Sequence, residues 1–305
     1  MTALFKLKHK PRESSILYQR SRGEKVLYFF VFLIFFLYAF SLLFPLFWLL
    51  MNSLQDRTLY ELNLMYGKAF VFPTELHWEN YSYAFTQLSY NGANIFAMFF
   101  NSIWYTLACT LGSVLMSAFT GYALAKYQFK ARGLIYGIII FTMAVPTVGT
   151  TGAMFNLVYN VLNLYDTPFY VILKHLTGTG LNFLVLYGFF RNVSWSYAEA
   201  AFMDGAGHTR VFFSIMLPLA LPAIVTLCIV SSIGAWNEYM DVLMYLPSFP
   251  TIASGMYGVS RTLPRQGYST VYFAALVISM IPILTVFACF SNVIMKNFAV
   301  GGLKG

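Results

Sequence analysis

The sequence predicts an all-α, polytopic membrane protein with six transmembrane helices, and its composition and the placement of its charges carry that prediction. Of the 305 residues, 59% are hydrophobic and only 10% are charged, a balance that soluble domains do not have. The net charge of +8 would suit a nucleic-acid-binding protein if it were gathered on one surface. The basic residues are instead spread over loops that alternate with apolar stretches, so we expect a lipid bilayer and no nucleic acid as partner.

Six apolar stretches are long enough to cross a bilayer, because ~20 helical residues span its hydrocarbon core. They divide the chain into a basic tail at 1–25, a transmembrane domain at 26–295 and a second tail at 296–305. The predicted spans are 26–51, 95–125, 134–159, 168–190, 211–239 and 269–295.

The distribution of charge predicts the orientation of these spans. Most of the 19 lysines and arginines lie in the two tails and in the loops at 126–132 and 191–210. The acidic residues are concentrated in the intervening loops. Lysine and arginine are enriched in cytoplasmic loops, so we expect a multi-pass protein of the cell membrane with both termini in the cytoplasm.

The third predicted span contains residues that interrupt helices. Pro146, Gly149 and Gly152 lie near its middle. Irregular backbone at that depth is tolerated only where protein or a watery cavity covers it. We therefore expect a bend at this point.

A polar interruption at 196–224 stands out in the second half of the chain. Ser196 and Glu199 have the spacing of a capping box, which predicts the start of a short helix, and Gly205 and Gly207 predict its end. A helix of this length is unstable alone in water, because the free-energy cost of helix nucleation is offset only over ~12–15 residues. It must therefore dock against something.

Helical spacing divides this short helix into two predicted faces. The first face is apolar with one acid and holds Glu199, Phe202, Met203 and Ala206. The second face consists mainly of small side chains and holds Ala200, Ala201 and Asp204. Thr209 is expected to cap a second helix that leads through Pro218 and Pro222 into the fifth span. This arrangement predicts a lever, a surface helix joined rigidly to a membrane helix.

The same run closely resembles the "EAA" loop of ABC-importer permeases, through Glu199-Ala200-Ala201, Asp204-Gly205-Ala206, Leu217-Pro218 and Pro222. The chain departs from the pattern at Ser194, where the family usually has proline. The resemblance implies a coupling helix seated in a groove of an ATPase subunit. The residues it assigns to that contact are Glu199, Ala200, Ala201, Phe202, Met203, Asp204, Gly205 and Ala206. The alternative is an amphipathic helix lying on the membrane surface.

Other segments resemble the carbohydrate-uptake, maltose-type permeases. These are the stretch with Pro73 and Glu79-Asn80-Tyr81, the sequence Trp236-Asn237-Glu238, and the glycine-rich basic end of the chain. The resemblance covers nearly the whole chain and implies the ABC type I importer permease fold. It also implies a second homologous permease, an ATPase dimer that holds ATP and Mg, an extracytoplasmic solute-binding protein, and an oligosaccharide or glycoside as substrate.

Six residues are candidates for the substrate path: Asn101, Trp104, Lys174, Trp236, Asn237 and Glu238. Aromatic faces stack on sugar rings and amides bond to hydroxyls, but aromatic residues at span ends also serve as interfacial anchors. Lys174 either snorkels outward or faces a polar cavity together with His175.

The sequence gives no sign of catalysis. It lacks the GxxxxGK[ST] loop that would hold ATP phosphates, and no Ser/His/Asp set, paired carboxylates or metal-ligand spacing stands out. We expect no catalytic residue, metal or cofactor on this chain. Two alternatives stay open: a permease for an amino acid, peptide or phosphate, and a secondary transporter. The latter would need membrane-embedded carboxylates for ion coupling, and of the eleven acids only Glu238 is a candidate for a position within a span.

Overall fold

The computed structural model describes residues 22–68, 70–145 and 149–301, with side chains as far as residue 291. Its described part is helical apart from two short antiparallel strands, β1 (Ser89–Tyr90) and β2 (Ala93–Asn94), in which Ser89 pairs with Asn94. The chain divides into two compact units, one ending at Trp48 and the other beginning at Leu49.

Four helices in the described residues are long and apolar enough to cross a membrane. They are Arg22–Ser53, Ile95–Lys126, His208–Asn237 and Ser269–Ser291. Helix α1 (Arg22–Ser53) extends into the predicted basic tail; residues 1–21 of that tail lie outside the described residues.

Two short helices follow α1 in the second unit: α2 (Arg57–Met65) and α3 (Glu79–Gln87). Asn80, at the start of α3, is buried, and its Nδ2 donates to the carbonyl oxygens of Ser53 and Gln55 at 2.9 and 2.8 Å. Its Oδ1 accepts a hydrogen bond from Thr270 at 3.3 Å. Asn80 therefore ties three separate parts of the chain together.

Helix α4 (Ile95–Lys126) runs through the centre of the second unit. It is followed by α5 (Arg132–Ala144), α6 (Thr151–Asn156) and a π-helical turn at Leu157–Val161. Helix α5 ends at Ala144 and α6 begins at Thr151, which confirms that the helix is interrupted within the third predicted span. Gly149 takes a φ of +84° in this break, whereas Pro146 lies outside the described residues.

The fourth predicted span is not one helix. It consists of α7 (Pro168–His175) and α8 (Leu181–Asn192), separated by a turn in which Gly178 and Gly180 have φ values of +61° and +90°. A Cβ atom on Gly178 would lie 2.8 Å from the carbonyl oxygen of Met116 in α4. Glycine is thus required both for the turn and for its close approach to α4. The count of six crossings remains a prediction.

The polar interruption forms α9 (Ser196–Met203) and α10 (His208–Val211), and a π-helical turn at Phe212–Met216 leads into α11 (Leu217–Asn237). Pro218 explains the π-helical turn, since proline has no N–H to donate to the preceding turn and its ring crowds that turn. The N–H of Leu217 bonds instead to the carbonyl oxygen of Phe212, five residues back.

The remaining helices are α12 (Met240–Tyr245), α13 (Ile252–Val259), α14 (Thr262–Arg265) and α15 (Ser269–Gly301). Helix α15 contains Pro282 and runs past the predicted end of the sixth span; residues 302–305 of the predicted tail are outside the described part. The core that positions the site lies where α4, α8, α9 and α11 meet.

Candidate functional site

The start of α9 differs from the predicted capping box. Trp195, rather than Ser196, precedes the first helical residue, and it already has helical φ and ψ of −70° and −20°. Ser196 therefore lies inside the first turn, one position too late for its side chain to cap the helix with Glu199. Ser194, the residue that departs from the family pattern, provides the contact instead, because its Oγ accepts the N–H of Ser196 at 3.3 Å.

The end of α9 is where the sequence places it. Gly205 follows the helix with a φ of +79°, its N–H bonds to the carbonyl oxygen of Phe202 at 3.0 Å, and the N–H of Ala206 bonds to that of Ala201 at 2.9 Å. This pair of bonds is a Schellman motif, which needs a left-handed residue just beyond the helix. Glycine takes that conformation without the steric penalty that a Cβ atom brings.

The predicted faces of α9 are partly wrong. Ala198 and Ala201 are buried in the core, while Phe202 and Ala206 pack partly against it. Met203 points away, with 88% of its surface exposed. Glu199, Ala200 and Asp204 are exposed as well. Small residues therefore seat the helix, since they let backbones approach closely, and the exposed residues combine two large side chains, Met203 and Tyr197, with two acids.

Aromatic rings form the seat beneath α9. Tyr122, Phe190 and Phe212 are buried in the same cluster as Ala198 and Ala201. A second group of rings packs edge-on or tilted, with centroids 4.9 to 6.0 Å apart; it comprises Tyr127, Trp195, Phe202 and His208. These geometries are favourable for aromatic pairs, and they fix the orientation of α9 by shape.

The predicted lever consists of two pieces. The turn Asp204–Gly207 separates α9 from α10, and Gly207, not Thr209, precedes the first residue of α10. From His208 onward the helix continues to Asn237. The surface helix is therefore connected to the membrane helix through a turn and a π-helical turn instead of one continuous rod.

A polar cavity of about 260 Å³ lies between α4, α7, α11 and α12. Lys174 forms an ion pair there with Asp241, and the two side chains are 35% and 17% exposed. Of the two readings of Lys174, the structure supports the one in which it faces a cavity together with His175. Asp241, which the sequence places in an external loop, is the partner that a lysine in an apolar stretch requires.

Two hydroxyl groups that line the same cavity, those of Ser113 and Ser231, contact the amide of Asn182, which is not itself a lining residue. Asn182 Nδ2 in α8 donates to Ser231 Oγ in α11 at 3.1 Å, and it lies 3.4 Å from Ser113 Oγ in α4. Glu238 Oε1 accepts the N–H of Asp241 at 3.1 Å, which places a second carboxylate in the lining. The cavity thus offers both hydrogen-bond donors and acceptors.

The other predicted path residues lie elsewhere. Asn101 Nδ2 donates to the carbonyl oxygen of Pro250 at 3.0 Å, and its Oδ1 accepts the Trp104 Nε1–H at 3.1 Å. Trp236 lines a separate apolar groove of about 360 Å³ between α4, α11 and α15. Asn237 bonds to Ile233 in its own helix. Lys174 and Glu238 are the two predicted path residues that come together.

Three residues of the site were missed in the sequence. Asp241 could have been found by asking which carboxylate neutralises Lys174, since an unpaired charge in an apolar stretch is costly. Tyr127 and Asn182 carry no such signal, because an aromatic residue at a span end and an amide within a span are both common in packed helices.

Known proteins resemble this chain in sequence and in fold. The model of a family described as "Binding-protein-dependent transport system inner membrane component" matches residues 113–299. Diacetylchitobiose uptake system permease protein NgcG of Streptomyces coelicolor is 27% identical over 267 residues, which cover 85% of this chain and 83% of that protein. Arabinooligosaccharides transport system permease protein AraQ of Bacillus subtilis is 30% identical over 269 residues, which cover 86% of this chain and 91% of that protein.

A crystal structure of a bacterial ABC transporter involved in the import of the acidic polysaccharide alginate contains a chain of similar fold. The TM-score is 0.75 at 22% identity, over 90% of this chain and 98% of that chain.

Proposed function

Because the chain belongs to the family of binding-protein-dependent transport system inner membrane components, we propose that it is a permease subunit of an ATP-driven sugar importer. It has the ABC importer permease fold. It works beside a second, homologous permease, above an ATPase dimer that holds ATP and Mg, and below an extracytoplasmic binding protein. An oligosaccharide or glycoside passes through the complex by alternating access.

Relatives support the class of solute. NgcG and AraQ are named for diacetylchitobiose and arabinooligosaccharides, and a structure of similar fold belongs to an importer of alginate. All three solutes are saccharides.

Helix α9 is the observation that carries the proposal. It has eight residues, ends in a Schellman motif, and rests on rings with one face while the other is exposed. A helix this short persists only when it is held, and its exposed face is then free to bind a partner. Glu199, Ala200, Met203 and Asp204 form the ATPase contact in this proposal, whereas Ala201, Phe202, Gly205 and Ala206 hold the helix in shape.

The polar cavity serves as part of the substrate path. Its lysine, carboxylates and hydroxyls, with the Asn182 amide bonded to the Ser231 hydroxyl, suit the hydroxyl groups of a sugar, which both donate and accept hydrogen bonds. Lys174 and Glu238 are the residues we assign to this path, with Asp241 and Asn182 added from the structure.

The proposed orientation places both termini in the cytoplasm. Lys126, Arg191 and Arg210 belong to loops or helix ends that adjoin α9 in the sequence or in the fold. Such basic residues mark the cytoplasmic side, which is the side where an ATPase can reach α9.

The test compares two methionines of equal exposure. Met203 lies on α9 and is 88% exposed; Met65 lies on α2, on the predicted outer side, and is 83% exposed. The chain is co-expressed with its candidate ATPase and partner permease, each variant is purified through a tag on the permease, and bound ATPase is measured. Met203→Asp should reduce bound ATPase about tenfold or more, as loss of a central apolar anchor does, while Met65→Asp should leave it unchanged.

Two results would contradict the proposal. One is retention of the ATPase by Met203→Asp at the level of the unmodified chain, which would remove α9 from the contact. The other is uptake by the reconstituted chain with no ATPase subunit present, which would favour a secondary transporter. A panel of sugars, amino acids and phosphate, tested for stimulation of ATP hydrolysis, separates the solute classes.

A further inference from the structure

Tyr127 contacts residues on both sides of α9. It directly follows Lys126, the last residue of α4, and its ring lies 5.9 Å from that of Trp195 and 5.5 Å from that of His208. Its Oη is 3.0 Å from His208 Nδ1. Trp195 immediately precedes α9 and His208 begins α10. One side chain at the end of α4 therefore contacts both flanks of α9.

Phe202 closes this arrangement from within α9. Its ring lies 6.0 Å from Trp195 and 4.9 Å from His208, the two rings that Tyr127 contacts. Lys126 Nζ adds a hydrogen bond to the carbonyl oxygen of Val193, three residues before α9 begins. The end of α4 thus contacts residues on both sides of α9, and Phe202 connects those residues to the helix itself.

We propose that Tyr127 is a positioning residue for energy coupling, which joins α9 to α4 so that movement of α9 is passed directly to α4. The inference rests on the proposed function of α9 as the ATPase contact. It adds a second route between ATPase and cavity, because Tyr105, Cys109 and Ser113 of α4 line the cavity.

The covalent route alone is less direct. From α9 it passes through the turn at Asp204–Gly207 and the π-helical turn at Phe212–Met216 before it reaches α11. Helix α4 has no such interruption between Tyr127 and the cavity, since it is continuous from Ile95 to Lys126. Contacts at Tyr127 therefore connect α9 to an uninterrupted helix.

The experiment measures ATP hydrolysed per solute taken up by the complete transporter in proteoliposomes, with its binding protein and a solute identified by the panel above. Tyr127→Leu removes the ring and the hydroxyl. Tyr127→Phe and His208→Phe each keep a ring and remove the same hydrogen bond. Tyr136→Leu is the control, because Tyr136 is also partly buried and packs on Tyr187 and Phe183 but does not contact α9.

Tyr127→Leu should raise the ATP used per solute by about tenfold in complexes that retain the ATPase, since several contacts at one position are lost together. Tyr127→Phe and His208→Phe should each raise it about threefold, and the double variant no more than Tyr127→Phe alone, because that variant already lacks both the bond to His208 and the 3.4 Å contact with Tyr122 Oη. Tyr136→Leu should leave the ratio unchanged even if it lowers the yield.

An unchanged ratio in assembled Tyr127→Leu complexes would overturn the inference, and so would an equal rise in Tyr136→Leu, which would indicate general packing. If Tyr127→Leu does not assemble, Tyr127→Phe and His208→Phe decide the question by the same ratio. A wild-type complex without solute-stimulated ATP hydrolysis would instead overturn the proposed function, and this inference with it.

Discussion

The aromatic seat of α9 and the polar cavity are both built against α4, yet from opposite chemistry. The seat packs neutral rings such as Tyr122 and Phe190 against small residues of α9, including Ala201. The cavity has an ion pair, a second carboxylate and a chain of amide and hydroxyl groups.

This difference separates two requirements of a coupled transporter. Rings packed edge-on hold one arrangement through shape, so that a helix seated on them moves with its neighbours. Hydrogen-bonding groups exchange partners at a small net cost, because a bond to a ligand replaces a bond within the protein. The seat is therefore suited to transmit movement, and the cavity to accept and release a polar solute.

The largest loss of stability in this comparison is expected at the ion pair between Lys174 and Asp241 in the cavity. Asp241→Asn leaves Lys174 without its charge partner, which for a fully buried pair costs about 3–5 kcal/mol; we expect about 2 kcal/mol here because Lys174 is 35% exposed. Thermal unfolding of the purified complex measures the loss. Uptake should fall as well, whereas ATPase binding at α9 should stay normal.

A rescue variant controls for general damage. Lys174→Met combined with Asp241→Asn removes both charges and should restore most of the lost stability. If the double variant is as unstable as Asp241→Asn alone, the pairing does not account for the effect, and the cavity is no more dependent on charge than the seat.

A smaller effect is expected at the end of α9. A Cβ atom added to either Gly205 or Gly207 would meet open space, but Gly205 has a φ of +79° and Gly207 a φ of −78°. Gly205→Val should therefore destabilise the turn by about 1–2 kcal/mol, while Gly207→Val should have little effect. ATP-driven uptake should fall about tenfold in the first variant only, with normal insertion in both.

Equal uptake by the two valine variants would show that the shape of this turn is unimportant, and that the seat is less rigid than its contacts indicate. Equal loss in both would point to crowding of the ATPase surface instead of a conformational requirement at Gly205.

The smallest effect is expected at Asn182, whose amide connects α8 with α11 and α4. Asn182→Ala should lower the free energy of unfolding by about 1 kcal/mol, because single hydrogen bonds contribute about that much. Asn160→Ala is the control, since Asn160 bonds to Asn156 within its own turn. A change in the solute KM with Asn182→Ala, absent with Asn160→Ala, would assign the amide to the substrate path.

Local sequence patterns predicted α9 better than its surroundings. The helix ends at Gly205 because only a left-handed residue closes that turn, a property of the residue itself. The start was wrong by one position because Trp195 becomes helical when its ring packs on Tyr127 and Phe202, and Tyr127 is far away in the sequence. The predicted assignment of residues to the faces of α9 was partly wrong for a similar reason. A helix of two turns can turn any side toward the core, and tertiary packing decides which side is buried.

In the cavity, too, the feature set by local sequence was predicted and the feature set by a distant contact was not. Lys174 could be singled out from its apolar surroundings, but its partner Asp241 is 67 residues away. No spacing rule connects the two. The break in the third span was predicted from its proline and glycines, whereas the break in the fourth depends on the contact of Gly178 with α4, which sequence alone does not give.

The glycine contacts along α4 determine which wall of the cavity is fixed. A Cβ atom on Gly121 would lie 3.0 Å from the backbone nitrogen of Tyr187 in α8, and one on Gly112 would lie 3.3 Å from the Cβ of His175 in α7. Contacts this close resist sliding, so we expect α4, α8 and the end of α7 to move together. We expect the cavity to widen on its opposite side, where α11 and α12 carry Ser231 and Asp241, and the separation of Lys174 from Asp241 to accompany the entry of solute.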